Sequence, residues 1–167
     1  RAHPAEASVH TRERVLDQIR REWPSGLAGV TLVEPEAGIA AADLVNLSDV
    51  VLVYNSTAGI EGAIGGRPVL VCGAPHYRAK GFSIDITSRS GYQEVLGDWA
   101  AGKSPVAPAG AVVLARQYLH LFFLRYHVTM GWTTSPLEPP YQLGLRSMDD
   151  LRPGRNPVLD LVCDGIL

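Results

Sequence analysis

The chain has 167 residues, 46% of them hydrophobic, with 15 Lys and Arg against 17 Asp and Glu. That length suits one domain or one half of a two-domain enzyme, and that apolar share excludes a disordered tail. A formal net charge of −2 argues against a nucleic-acid-binding module, and two cysteines, Cys72 and Cys163, are too few for a disulfide scaffold.

The chain opens on Arg1 rather than Met, with no signal-peptide pattern behind it, so we expect a piece of a longer protein. Apolar Val9, Val15, Leu16 and Ile19 recur at helical spacing, and Pro24 and Gly26 stop that helix near Trp23. Residues 30–33 form a short, mostly β-branched run ended by Pro35, which predicts a strand. A small helix fits residues 39–47. The continuous apolar run 50–54 predicts a strand covered on both faces, as in a parallel sheet. A short helix fits residues 58–64, ended by Gly65-Gly66, and residues 69–72 predict another strand. Alternating helices and strands are the signature of an α/β layered domain with right-handed parallel crossovers.

Residues 73–91 read as polar loop, 93–101 as a short helix and 102–110 as a connection. Residues 111–130 form the longest apolar stretch, but Arg116 and Arg125 interrupt it, beside Gln117, His120 and His127. Charges at bilayer depth are costly, so we expect a helix buried in protein. The tail from Gly131 holds Pro136, Pro139, Pro140, Pro153 and Pro157 and is expected to be mostly irregular.

Three stretches could carry chemistry. In the first, a strand ends in Asn55-Ser56-Thr57 and a helix containing Gly59 begins. Ligands of open parallel sheets bind outside the carboxyl ends of strands, where backbone N–H groups and hydroxyls suit a phosphate. The same residues also suit an ordinary helix cap. Glu61 is four residues after Thr57, one too far for a capping box, and could accept from a ribose diol or simply face solvent. The second stretch is Arg1-Ala2-His3-Pro4, where Pro4 keeps His3 out of a helix, so that its imidazole could donate to a phosphate or a leaving oxygen. The third is the cationic loop His76-Tyr77-Arg78-Ala79-Lys80, which suits an anionic ligand or is a solvated loop. Dinucleotide and P-loop fingerprints are absent. His120 and His127 are seven apart and read as packing or interface residues rather than metal ligands, and Cys72 reads as a buried small hydrophobe.

In order, His3-Pro4, Ser48-Asp49, Asn55-Ser56-Thr57 with Glu61, Gly66-Arg67-Pro68-Val69, and Gly73, Tyr77 and Gly81 resemble the capsule polysaccharide biosynthesis proteins, bacterial enzymes similar to Kdo transferases. The resemblance covers about the first half of the chain. It implies one Rossmann-like half of a GT-B glycosyltransferase, the carboxyl-terminal domain that binds a nucleotide sugar. It also implies CMP-Kdo as donor, no metal and no separate cofactor. A capsular glycan or glycolipid would be the acceptor, and an amino-terminal GT-B domain the missing partner. By the same resemblance Ser56 and Thr57 form the phosphate-binding pair, Glu61 binds the ribose and His3 contacts the nucleotide phosphate as the catalytic donor. Asn55, Gly59 and Tyr77 complete the nucleotide site. Gly62 stands where the family usually has a small Ala, which should change only packing.

We therefore expect a nucleotide-sugar domain over residues 1–110, with a long helix and Pro-rich tail over 111–167 packing on it. The setting implied is bacterial capsule synthesis and polysaccharide transport in the cytoplasm, at the inner face of the inner membrane through the full-length protein. Two competing expectations are a non-catalytic Rossmann-like interaction module and a GT-B-like sugar-nucleotide epimerase.

Overall fold

Val51, Val53, Val69 and Val71 are β-branched and alternate along two short runs, so each run presents a stiff apolar row to one side. In a computed structural model of the chain, which describes residues 2, 3, 6, 12–127 and 147–166, those rows are the centre of an α/β fold. Strands β1 (Val51–Val53), β2 (Val69–Val71) and β3 (Ile84–Asp85) form a parallel sheet in the order β1-β2-β3. Val51 is registered with Val69, Val53 with Val71, and Leu70 with Ile84. The helices are α1 (Val15–Glu22), α2 (Ala41–Leu47), α3 (Ala58–Ile64), α4 (Arg89–Ala100), α5 (Ala111–Leu119) and α6 (Pro157–Ile166). This is the Rossmann-like arrangement expected: a small parallel sheet flanked by helices, with α3 as the β1–β2 crossover.

The core lies on the face of the sheet that α3 covers. Ile60 and Ala63 of α3 are buried with Val69 and Val71, and Ala111 and Ala115 of α5 join the same cluster. The approach of α3 is close because its inner positions are small. A Cβ on Gly62 would sit 3.1 Å from a Val51 methyl and 3.2 Å from a Val69 methyl, and one on Gly59 would overlap the Tyr77 hydroxyl. Gly62 is thus a packing residue, as expected.

Helix α3 has the limits predicted, and Gly66 past its end takes a positive φ of 76°. Helix α1 starts at Val15; Val9 lies outside the described residues. Several expectations need correction. Residues 30–33 are not a strand, because a single described backbone bond, Ala2 N–H to the Val33 carbonyl at 3.0 Å, joins them to another segment. A ladder needs more than one bond. Strand β2 is buried throughout, but β1 is not covered on both faces: Leu52 is 47% exposed and Tyr54 71%. β1 is one of the two outer strands of the described sheet, and α3 and α2 cover only its valine side.

Strand β3 lies within the stretch read as loop, since two residues are too few to show alternation. Helix α4 begins at Arg89 rather than 93 because the Ser88 hydroxyl caps it, accepting from Gly91 N–H at 3.0 Å. The helix expected over 111–130 is α-helical to Leu119 and π-helical over His120–Tyr126; Met130 lies outside the described residues. It is buried along one face only, with Val113, Leu121, Leu124 and Tyr126 exposed. The tail is not irregular where described. A 3₁₀ turn spans Met148–Leu151, and Pro157 opens α6 with the Asn156 carboxamide oxygen accepting from Val158 and Leu159 N–H groups at 3.0 and 3.1 Å. Proline at a first helical position lacks a donor that would be unpaired anyway. Residues Gly131, Pro136, Pro139 and Pro140 lie outside the described residues. Among the described residues no helix is long and apolar enough to cross a membrane.

The two glycine environments predict opposite responses. Gly59→Ala should destabilise the fold by about 1–3 kcal/mol through overpacking. Gly97→Ala, where an added Cβ meets nothing within 4 Å on helix α4, should leave stability equal or raise it by up to ~1 kcal/mol. Urea denaturation of both variants reads the difference.

Candidate functional site

Because the strands are parallel, their carboxyl ends share one edge of the sheet, and the loops after β1 and β2 meet there. Two hydrogen bonds join those loops. The Asn55 carboxamide oxygen accepts from Ala74 N–H at 2.8 Å, and the Tyr77 phenol donates to the Ser56 carbonyl at 2.6 Å. Tyr77 is fully buried, and burial together with nearby Asp85 pushes its phenol up to about 12, so it remains a donor across the physiological range. Gly59 leaves the space that the Tyr77 hydroxyl fills. Gly73 is buried at the same junction, against the Tyr54 carbonyl and the Asn55 carboxamide, where no side chain would fit.

A crevice of about 430 Å³ opens beside this junction, between α2, β1 and the Ala2–His3 segment. His3 and Ser56 both line it, with Ser48 and Tyr54 adding hydroxyls and Leu44 and Leu52 apolar surface. The Ser56 hydroxyl oxygen accepts from Ala58 N–H at 3.2 Å, which leaves its own proton for donation. The structure therefore brings His3 and Ser56 together. Thr57 and Glu61 are exposed nearby but do not line the crevice. Gly59 and Tyr77 lie behind the loop, in the interior, and Asn55 braces it from the side. Among the described residues no group of three or more His, Cys, Asp or Glu could hold a metal ion.

The cationic loop is built into the fold. Arg78 donates to the Gly73 carbonyl and, at 2.8 Å, to the Ile86 carbonyl, tying the β2 loop to the end of β3. His76 ties it to α5: the Tyr118 hydroxyl donates to the His76 carbonyl at 3.1 Å, and His76 Nδ1 lies 2.6 Å from that hydroxyl. The imidazole stacks on Phe122 with ring centroids 4.0 Å apart. With the hydroxyl proton directed to the carbonyl, Nδ1 carries the proton of the second bond. Sequence reasoning missed Tyr118 and Phe122 as loop anchors, since 42 residues separate His76 from Tyr118. Cys72 is half-buried, and burial raises its thiol more than Arg78 lowers it, so it is not an activated nucleophile. His127 stacks on Phe123, a packing role as expected.

Burial, followed by the charge of His127, lowers the His76 pKa below its usual 6.5. A depressed folded-state value means that the neutral ring stabilises the loop. That contribution is complete above 6.5 and is lost as pH falls below it through the folded value. An NMR titration should place the His76 midpoint below 6.5, and His127→Gln, which removes the neighbouring charge, should move it back up.

Comparison with known proteins adds one finding. The family model described as capsule polysaccharide biosynthesis protein matches residues 1–95, a span that contains every residue lining the His3–Ser56 crevice. No curated protein and no solved structure matches the chain. More than half of the sequence lies within the family match, and the chain belongs to the capsule polysaccharide biosynthesis protein family.

Proposed function

We propose that the chain is the donor-binding half of a Kdo-transferase-like GT-B glycosyltransferase acting in capsule polysaccharide biosynthesis. The observation that carries this reading is the crevice at the carboxyl end of β1, where His3 and Ser56 face one space of about 430 Å³. That volume falls in the range of small-ligand pockets. Its position is the one that open parallel sheets offer to nucleotides.

On this reading the donor is CMP-Kdo, and its phosphate sits against Ser56 and His3 in the crevice and extends past its lining to the exposed Thr57. The Ser56 hydroxyl donates to a phosphate oxygen while its own oxygen remains held by Ala58 N–H. Charge develops on that phosphate as the bond from its oxygen to the anomeric carbon of the sugar breaks and the acceptor oxygen bonds to that carbon. Fixed donors stabilise it most where water is excluded. His3 donates to the same leaving phosphate. Glu61 reaches the ribose diol from the first turn of α3, which requires the ligand to extend past the crevice rim. Asn55, Gly59 and Tyr77 hold the Ser56 loop rather than touch the ligand. The acceptor, a capsular glycan or glycolipid, is activated by a base from the amino-terminal GT-B domain at the inner face of the inner membrane. The unit spanning residues 1–110 carries the donor site, and α5 packs against its core.

A non-catalytic interaction module is the competing reading, favoured by the exposed Leu121, Leu124 and Tyr126. Isothermal titration of CMP separates the two. Binding should be measurable below millimolar ligand. The double variant Ser56→Ala with Thr57→Ala should weaken it about tenfold or more, as expected for hydrogen bonds to a charged group. No binding, or binding indifferent to the double variant, contradicts the donor-site reading.

A further inference from the structure

Tyr54 and Leu52 border a second cavity, of about 500 Å³, which opens toward α4 rather than α2. Leu52, Tyr54, Cys72 and Tyr92 form its walls, and Arg78 and Arg89 supply its charge. No Asp or Glu lines it, although the chain as a whole carries a net charge of −2. Arg78 is half-buried, and the partners of its guanidinium, the Gly73 and Ile86 carbonyls, are neutral. Neither arginine joins an ion pair among the described residues. Asp85, on β3 close by, has its two carboxylate oxygens engaged by Ala79 N–H and the Ser83 hydroxyl, each at 2.7 Å.

A cation withdrawn from water without a counter-ion is unfavourable, and a bound anion relieves it. Guanidinium groups match the oxygens of phosphate and carboxylate, and flat aromatic walls accept the ring that carries such a group. We propose that this cavity binds a small oxyanion ligand, its phosphate or carboxylate held by Arg78 and Arg89 and its ring lying against Tyr54 and Tyr92. Tyr54 then separates two neighbouring ligand sites, one on each side of the β1 end. The binding itself stands on the cavity alone. Assigning the oxyanion to a partner in sugar transfer, either the nucleotide phosphate or the carboxylate of an acidic sugar, rests on the proposed function.

The test is calorimetric titration of the chain at low salt with inorganic phosphate, CMP and glucuronate. At least one of the three should bind. Arg89→Gln, an exposed substitution that leaves the fold intact, should weaken that binding about tenfold or more. Arg78→Lys keeps the charge but loses the fork, and should weaken it also. Binding of phosphate and CMP alone identifies a phosphate site, and binding of glucuronate alone identifies a carboxylate site. Failure of all three to bind overturns the proposal, as does binding indifferent to both arginine variants. CMP binding that is lost in Ser56→Ala with Thr57→Ala but kept in Arg89→Gln overturns this proposal and leaves the donor site standing. Anion binding that is lost only in the arginine variants supports this site and counts against the other.

Discussion

The hydrogen bond from the buried Tyr77 phenol to the Ser56 carbonyl is the contact on which the rest of the site depends. It joins the loop after β1 to the loop after β2 across 21 residues of sequence. It exists because Gly59 has no side chain, and it stays formed because burial keeps the phenol protonated. Asn55 repeats the tie from the other direction. With both bonds made, the backbone at 55–58 is held from behind while the Ser56 hydroxyl and the His3 ring line the crevice in front. On the proposed function, a loop positioned in this way loses little freedom when the ligand arrives.

The same junction sets the shape of the whole carboxyl edge. Arg78 bridges the β2 loop to β3, and His76 bridges it to α5. Both side chains are tied into the fold by these bonds. The loop that carries them is a strut between three elements, which explains why a glycine-flanked polar stretch is ordered at all. Tyr54, exposed at the tip of β1, is left between two cavities of about 430 and 500 Å³. One is lined by hydroxyls and an imidazole, the other by two guanidinium groups. The molecule thus concentrates donor groups where the strands end, and neither cavity is lined by an Asp or Glu.

Much of this was legible from residue order. Helix α3 could be delimited because Gly65-Gly66 stop it and an apolar strand precedes it. The parallel α/β arrangement followed from valine-rich runs separated by short helical stretches. What escaped depended on contacts between distant residues. The apolar run around Leu52 looked buried on both faces, yet only the placement of the helices against one face decides that. Tyr77 looked like a ligand-binding residue, yet its partner is the Ser56 carbonyl. No local pattern announces a phenol reaching back under a helix. Strand β3 and helix α6 were missed for simpler reasons: one is two residues long, and the other begins at a proline that was read as a breaker.

The central claim is that the carboxyl edge of the sheet is the ligand-binding surface. Amide chemical-shift mapping on isotope-labelled protein with CMP added tests it most directly. The account predicts shifts concentrated at His3, residues 54–59 and residues 72–78, with α1 and α6 unchanged. Shifts confined to α1, α6 or the exposed side of α5, with the strand-end loops silent, would contradict it.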